Sequence, residues 1–244
     1  MSADNVIYIK KVLTNREFNV VFQPVVDLKN GKIFSYEALL RSTNPVFKSP
    51  PEVFDAAVAA GCCGELGRVV RDMAVQECPG HTLFLNIHPA ELGEGWLVRP
   101  DDPIFQHEEG IYLEVTESVP LSHFDLCDSI LREVRSKGIN LAVDDLGAGY
   151  SNLKYIADLA PEIVKIDRAL VTDLHLKPRQ KTLVAAIVRL CEDLNARVVA
   201  EGIETLNELA AVTEAGCHFG QGYLLARPQF PPPDVPWPPE KDAS

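Results

Sequence analysis

The stretch "LAVDDLGAGYSNL", residues 141–153, runs an apolar segment into two adjacent aspartates and follows them with glycines at 147 and 149. Its apolar part reads as a buried strand. A regular strand sends successive side chains to opposite faces, so Asp144 and Asp145 would point apart. The expectation is that the strand ends between them: Asp144 closes it facing inward, and Asp145 opens the loop, where Gly147 and Gly149 let the backbone turn. The fold then depends on how many other strands end in the same way.

Working outward, "VVFQPVVDL" and "IFSYEALL" are β-rich runs joined by "KNGK", whose Asn30-Gly31 pair signals a hairpin. "PPEVFDAAVAAG" and "ELGRVVRDMAVQEC" have helical spacing, with Pro51 suited to a first turn. Short apolar runs then alternate with helical segments: "TLFLNIHP", "IYLEVTES", "INLAVDD", "EIVKID", "ARVVAEGIE" and a weak "CHFGQGYLL", with helices that include residues 121–137 and 179–194. About eight strands in mostly β-α alternation predict an α/β fold, a TIM-like (β/α)8 barrel with an antiparallel opening pair. The alternative is an open doubly wound sheet, but no glycine-rich nucleotide loop follows the first strand. The expected organisation is an N-terminal extension at 1–19, a barrel domain at 20–228 and a proline-rich tail at 229–244, extended over the surface or mobile.

The chain has 244 residues, 46% hydrophobic and 24% charged, a globular composition. Lys+Arg 23 against Asp+Glu 35 gives a net charge of −12, which argues against a general positive field gripping DNA, RNA or an anionic membrane. A small phosphate ligand remains compatible if divalent cations mediate its contact. The six cysteines, at 62, 63, 78, 127, 191 and 217, form no CxxC pair and read as buried reduced thiols. Charges interrupt the N-terminus where a signal peptide needs an apolar core, and no apolar run is long enough for a bilayer; the expected location is the cytoplasm.

The predicted strands end, in chain order, in Glu37, Asn86, Glu114, Asp144 with Asp145, Lys165 with Asp167, Glu201 and Gln221. In a barrel these ends converge on one rim, where barrel enzymes place their active sites. Exposed strand ends are often polar for no functional reason, yet so many acids and amides together would repel or stay unsatisfied without a cation. Carboxylates and an amide oxygen, with no clustered histidine or thiolate, select Mg²⁺ or Mn²⁺. Several acids on one rim suggest two metals roughly 4 Å apart, suited to phosphoester hydrolysis, with one carboxylate bridging them. Lys165 has two readings: orienting a water or neutralising charge on phosphorus, or an ordinary salt bridge inside the barrel. Asp167, at i, i+2 from it, reads as its partner.

The ordered strings "YEALLR", "NIHP", "EVTE", "DDLGAGYSNL", "VKID", "AEGIET" and "QGY" resemble the EAL family of cyclic-di-GMP phosphodiesterases over about residues 20–228. The resemblance implies a barrel with an antiparallel first strand and hydrolysis of cyclic di-GMP to linear pGpG. It assigns Glu37, Asn86, Glu114 and Asp144 to one metal, and Asp144, Asp145 and Glu201 to the second. It places Lys165 against the nucleophilic water and makes Glu201 a candidate base. Gln23, Arg41 and Gln221 would bind substrate, Asp167 and Glu204 would support the site, and Glu117 would anchor the loop after the paired aspartates. A homodimer, and a regulatory domain or protein partner, are further expectations from it.

Leu146 and Ala148 stand where the family usually has phenylalanine and threonine, and His218 replaces a common aspartate. Since some family members have lost catalysis, the alternative function is a silent cyclic-di-GMP receptor or protein-interaction module. Enolate chemistry on the same rim is a third reading, and it leaves the ordered motifs coincidental.

Overall fold

The computed structural model describes residues 3–116, 124–148 and 153–239. Eight strands close into a barrel in chain order: β1 (Phe18–Asp27), β2 (Ile33–Ser42), β3 (Leu83–Asn86), β4 (Ile111–Thr116), β5 (Asn140–Leu146), β6 (Ile163–Ile166), β7 (Arg197–Ala200) and β8 (Phe219–Gly220). β1 pairs antiparallel with β8, whereas β5 to β8 are parallel. The expected hairpin closes β1 to β2 through Asp27 N–H to Lys32 O at 2.9 Å, with Gly31 at φ +73°. The helices are α1 (Ala3–Thr14), α2 (Pro50–Ala59), α3 (Cys63–Glu77), α4 (Pro89–Glu94), α5 (Phe124–Ser136), α6 (Leu153–Leu159), α7 (Arg168–Val171), α8 (Pro178–Asp193) and α9 (Leu206–Glu214). Among the described residues no helix is long and apolar enough to cross a membrane.

By internal contacts the chain divides into two compact units. One comprises the described residues of 1–21, 38–113 and 119–139; the other comprises those of 22–37, 114–118 and 140–244. In the first, Ile9, Val12 and Leu13 of α1 are buried with Val53, Ala56 and Ala57 of α2 and Leu66 of α3. The segment expected to be an extension thus contributes to a core.

The first unit also buries an arginine. Arg71 of α3 donates from Nη1 to Glu91 Oε2 at 2.7 Å, from Nη2 to Asp102 Oδ2 at 2.9 Å and from Nε to Asp102 Oδ1 at 3.2 Å. All three side chains are sealed from solvent, and the remaining carboxylate capacity is used: His88 N–H donates to Glu91 Oε1 and Ile104 N–H to Asp102 Oδ1. A Cβ at Gly67 would lie 1.9 Å from Glu91 Oε2, so only glycine on α3 lets the glutamate through.

In the second unit, Val164 and Ile166 of β6 and Val198 and Ala200 of β7 pack with Val184 and Val188 of α8. That apolar layer fixes the outward face of each strand, and alternation turns Lys165 to the other face. Register explains the paired aspartates. Val143 lies opposite Val164, but Leu146 lies opposite Ile166: three steps on β5 answer two on β6. β5 therefore carries a bulge, and the strand does not end between Asp144 and Asp145 as expected. The extra residue, Asp145, has φ +61°, a left-handed conformation that aspartate tolerates better than most side chains. Leu146 is consequently delivered outward into the apolar core. Gly149 lies outside the described residues.

The tail from 229 to 239 is docked: Gln229 forms an antiparallel bridge with Phe22, and Trp237 packs against the second unit's core. Cys62, Cys63, Cys78, Cys191 and Cys217 are free and buried, as expected, while the side chain of Cys127 lies outside what is described.

Replacing Arg71 with alanine strands two buried carboxylates. Urea unfolding of Arg71→Ala is expected to show a loss of about 3–5 kcal/mol, and an unchanged midpoint would refute the role given to this triad.

Candidate active site

In the second unit, Lys165 Nζ lies 2.6 Å from Glu201 Oε1, 2.7 Å from Glu114 Oε1, 3.2 Å from Glu37 Oε2 and 3.5 Å from Asp144 Oδ1. Five strands or strand ends thus send one charged group each to a common point. Lys165 and Glu114 are each 1% exposed. Burial alone would depress the ammonium, but Asp144, Glu114, Glu201 and Glu37 reverse this and hold it well above its ordinary value. The lysine is therefore charged, and four carboxylates share its one positive charge.

That imbalance shows in the acids. Burial first, then the Glu37 charge, pushes the Glu114 carboxyl well above the ordinary range, with Lys165 opposing. Burial raises Glu201 to about 8 against the same opposition. Glu114 Oε2 is buried without any hydrogen-bond partner, a costly state for a carboxylate oxygen. Beside it, ligand oxygens of Asp144, Asp145 and Glu201 lie within 4.8 Å of one another. The β5 bulge makes this possible, since regular pleating would turn Asp145 away. An orphaned buried oxygen beside an all-oxygen donor set fits a hard divalent cation.

Gln221, just past β8, donates through Nε2 to Glu37 Oε2 at 2.6 Å and to Gln23 Oε1 at 3.1 Å; Gln23 Nε2 in turn donates to Ala226 O at 3.1 Å. The structure thus brings together Gln23, Glu37, Glu114, Asp144, Asp145, Lys165, Glu201 and Gln221. Asp167 caps α7, accepting from Ala169 N–H at 2.8 Å, instead of serving as the lysine's strand-face partner. Glu204 is half-exposed, 3.9 Å from Arg168 Nη2. In the other unit, Asn86 is the exposed last residue of β3, and Arg41, near the end of β2, donates to Leu40 O at 2.8 Å. Glu117 lies outside the described residues.

Two supports were not read from the sequence. Glu208 accepts from the backbone N–H groups of Asp173, Glu204 and Thr205, fixing the loop that follows Glu201. Its signal was available: Thr205-x-x-Glu208 is a capping box. Burial raises this carboxyl, but the three N–H groups and the Thr205 hydroxyl outweigh burial and hold it low. Gly222 is the second. A Cβ there would meet Ile203 O at 2.1 Å, so the chain after Gln221 can touch the loop only as glycine.

The substitutions noted above have local accounts. Leu146 fills the apolar layer, Ala148 N–H donates to Asp145 O at 3.0 Å, and His218 Nδ1 accepts from Val198 N–H at the start of β8, away from Gln221.

Residues 9–228 match the family described as the EAL domain. The chain belongs to the EAL domain family. Among its relatives, cyclic di-GMP phosphodiesterase PA2567 of Pseudomonas aeruginosa is 32% identical over 231 residues, covering 89% of this chain and 39% of the relative. The chain thus spans less than half the length of that curated relative. A manganese/cy-diGMP complex of Klebsiella pneumoniae BlrP1 superposes with a TM-score of 0.76 at 34% identity, covering 87% of this chain and 56% of that one. The PaMucR phosphodiesterase, c-di-GMP complex, gives 0.80 at 30% identity, covering 93% and 97%. The EAL barrel here has the fold and the antiparallel first strand that the sequence led one to expect.

The raised Glu201 carboxyl sets a pH dependence for the metal-free protein. Its contribution to stability is complete below the unfolded carboxyl value of about 4.3; it declines as pH rises and is gone above about 8. Melting temperature in chelator is expected to fall across this window, and Mn²⁺ to raise it most at the alkaline end. A flat chelator profile would contradict the assignment.

Replacing Glu208 with alanine leaves three N–H donors of one loop without their acceptor. Chemical denaturation is expected to show a loss of about 2–3 kcal/mol, and metal affinity, read by Mn²⁺ titration, to weaken as Glu201 loses its support.

Proposed function

We propose that this EAL domain is a divalent-metal-dependent phosphodiesterase that hydrolyses cyclic di-GMP to linear pGpG. The observation that carries the proposal is the surplus of carboxylates around Lys165, with Glu114 Oε2 left unpartnered while Asp144, Asp145 and Glu201 converge. A purely structural ion-pair core has no use for that surplus.

Glu37, Glu114 and Asp144 would hold one Mg²⁺ or Mn²⁺, and Asp144, Asp145 and Glu201 would hold a second. Such ions supply a lowered water pKa and charge stabilisation at phosphorus. The chain's own residues do the rest. Lys165, fixed by its acidic neighbours, presents a permanent positive charge to a phosphoryl oxygen or the attacking water. Glu201, with 18% side-chain exposure, is the carboxylate placed to accept a proton from that water. Gln221, held by Glu37 and Gln23, keeps Oε1 buried without a donor, ready to accept a hydrogen bond from a guanine base. Gln23 shares this recognition surface, while Asp167 and Glu204 steady the loops around it. The cytoplasm, where cyclic nucleotides act as messengers, is the compartment that suits this reading, and a homodimer is its expected assembly.

Nucleotide chromatography after incubation with cyclic di-GMP tests the proposal. pGpG is expected with Mg²⁺ or Mn²⁺ and none with chelator, and Glu37→Gln should lower the rate at least about a hundredfold. Tight binding without turnover, undiminished by chelation, would establish the receptor reading in its place.

A further inference from the structure

The family match ends at residue 228, yet the described residues beyond it, 229–239, run against the strands that carry Gln23 and Glu37. β8 has only two residues and pairs with β1 only at Val26 and Asp27, so the earlier part of β1 receives no backbone partner from that strand. Gln229 takes the position: Phe22 N–H donates to Gln229 O at 2.9 Å and Gln229 N–H to Phe22 O at 3.1 Å. Further on, the buried Tyr36 hydroxyl donates to Pro233 O at 3.0 Å. Finally the Trp237 indole covers Gly31, where a Cβ would lie 2.0 Å from the ring.

Phe22 and Tyr36 are the immediate chain neighbours of Gln23 and Glu37. Strand alternation means that a tail holding one residue of each pair sets the direction of the other. Gln23 and Glu37 are in turn tied together through Gln221 Nε2. Bonds therefore run from the tail through two strands to one side-chain network.

We infer that residues 229–237 form a strap that positions Gln23 and Glu37, so that affinity for substrate is set partly by chain outside the family's own domain. The inference rests on the function proposed above. Tyr36 and Trp237 are positioning residues: Tyr36 holds the tail at Pro233, and Trp237 holds it against Gly31.

The test uses the full chain with Tyr36→Phe, Trp237→Ala and the conservative Trp237→Phe. Tyr36→Phe and Trp237→Ala are expected to raise KM for cyclic di-GMP five- to tenfold through Gln23 and to lower kcat as Glu37 shifts, and Trp237→Phe to restore both. In the nucleotide-free protein, amide hydrogen exchange at residues 22–23 and 36–37 should quicken at least tenfold in the first two variants. A lowered melting temperature with KM unchanged would overturn the inference, leaving the tail as packing alone, and so would unchanged exchange. If the unaltered chain forms no pGpG, the exchange result still decides the strap, and the failure belongs to the functional reading.

Discussion

A lysine ammonium sealed among four carboxylates is the constraint around which the second unit is arranged. Each acid is on a different strand or strand end: β2, β4, β5 and the exit of β7. Lys165 can be charged and buried only while all of them face it. Outward-facing Val164, Ile166, Val198 and Ala200 make that orientation obligatory, because the same alternation that buries them against α8 turns the polar residues to the interior. Hydrophobic burial outside the sheet thus holds mutually repelling acids together inside it.

Arg71 provides the contrast within the same chain. It too is a buried cation facing more than one acid, but its carboxylates have their remaining oxygens occupied by backbone N–H groups. Nothing there is left over for a ligand. Around Lys165 an oxygen of Glu114 stays unpartnered and three further acids crowd the bulge. Burial of charge is common to both clusters, and completeness of hydrogen bonding separates the architectural one from the chemical one.

Much of this was legible in the sequence because it is periodic. The Asn30-Gly31 hairpin, the β-α alternation and the polar residue at each strand end are local patterns, and they led to the barrel and to most of the site. The bulge was not legible, since it exists only as a mismatch in step count between β5 and β6, and either strand alone looks regular. Asp167 was misjudged by extending strand periodicity one residue too far, past Ile166, where it becomes a helix cap. The Arg71 cluster joins residues 20 and 31 positions distant and has no spacing to betray it. Glu208 carried a readable capping signal, but its reach to Asp173 comes only from tertiary packing.

The bulge at Asp145 also makes the site depend on the length of β5 and not merely on its residue types. Removing one position there would restore an even ladder with β6 and leave every flanking residue chemically intact. Leu146 would keep its place opposite Ile166 in the apolar layer, but only one of the two adjacent carboxylates would remain to face the interior. A chain of this family could thus lose its donor set through a single-residue deletion while still displaying nearly all its signature letters, and counting residues between strand partners is as informative as reading them.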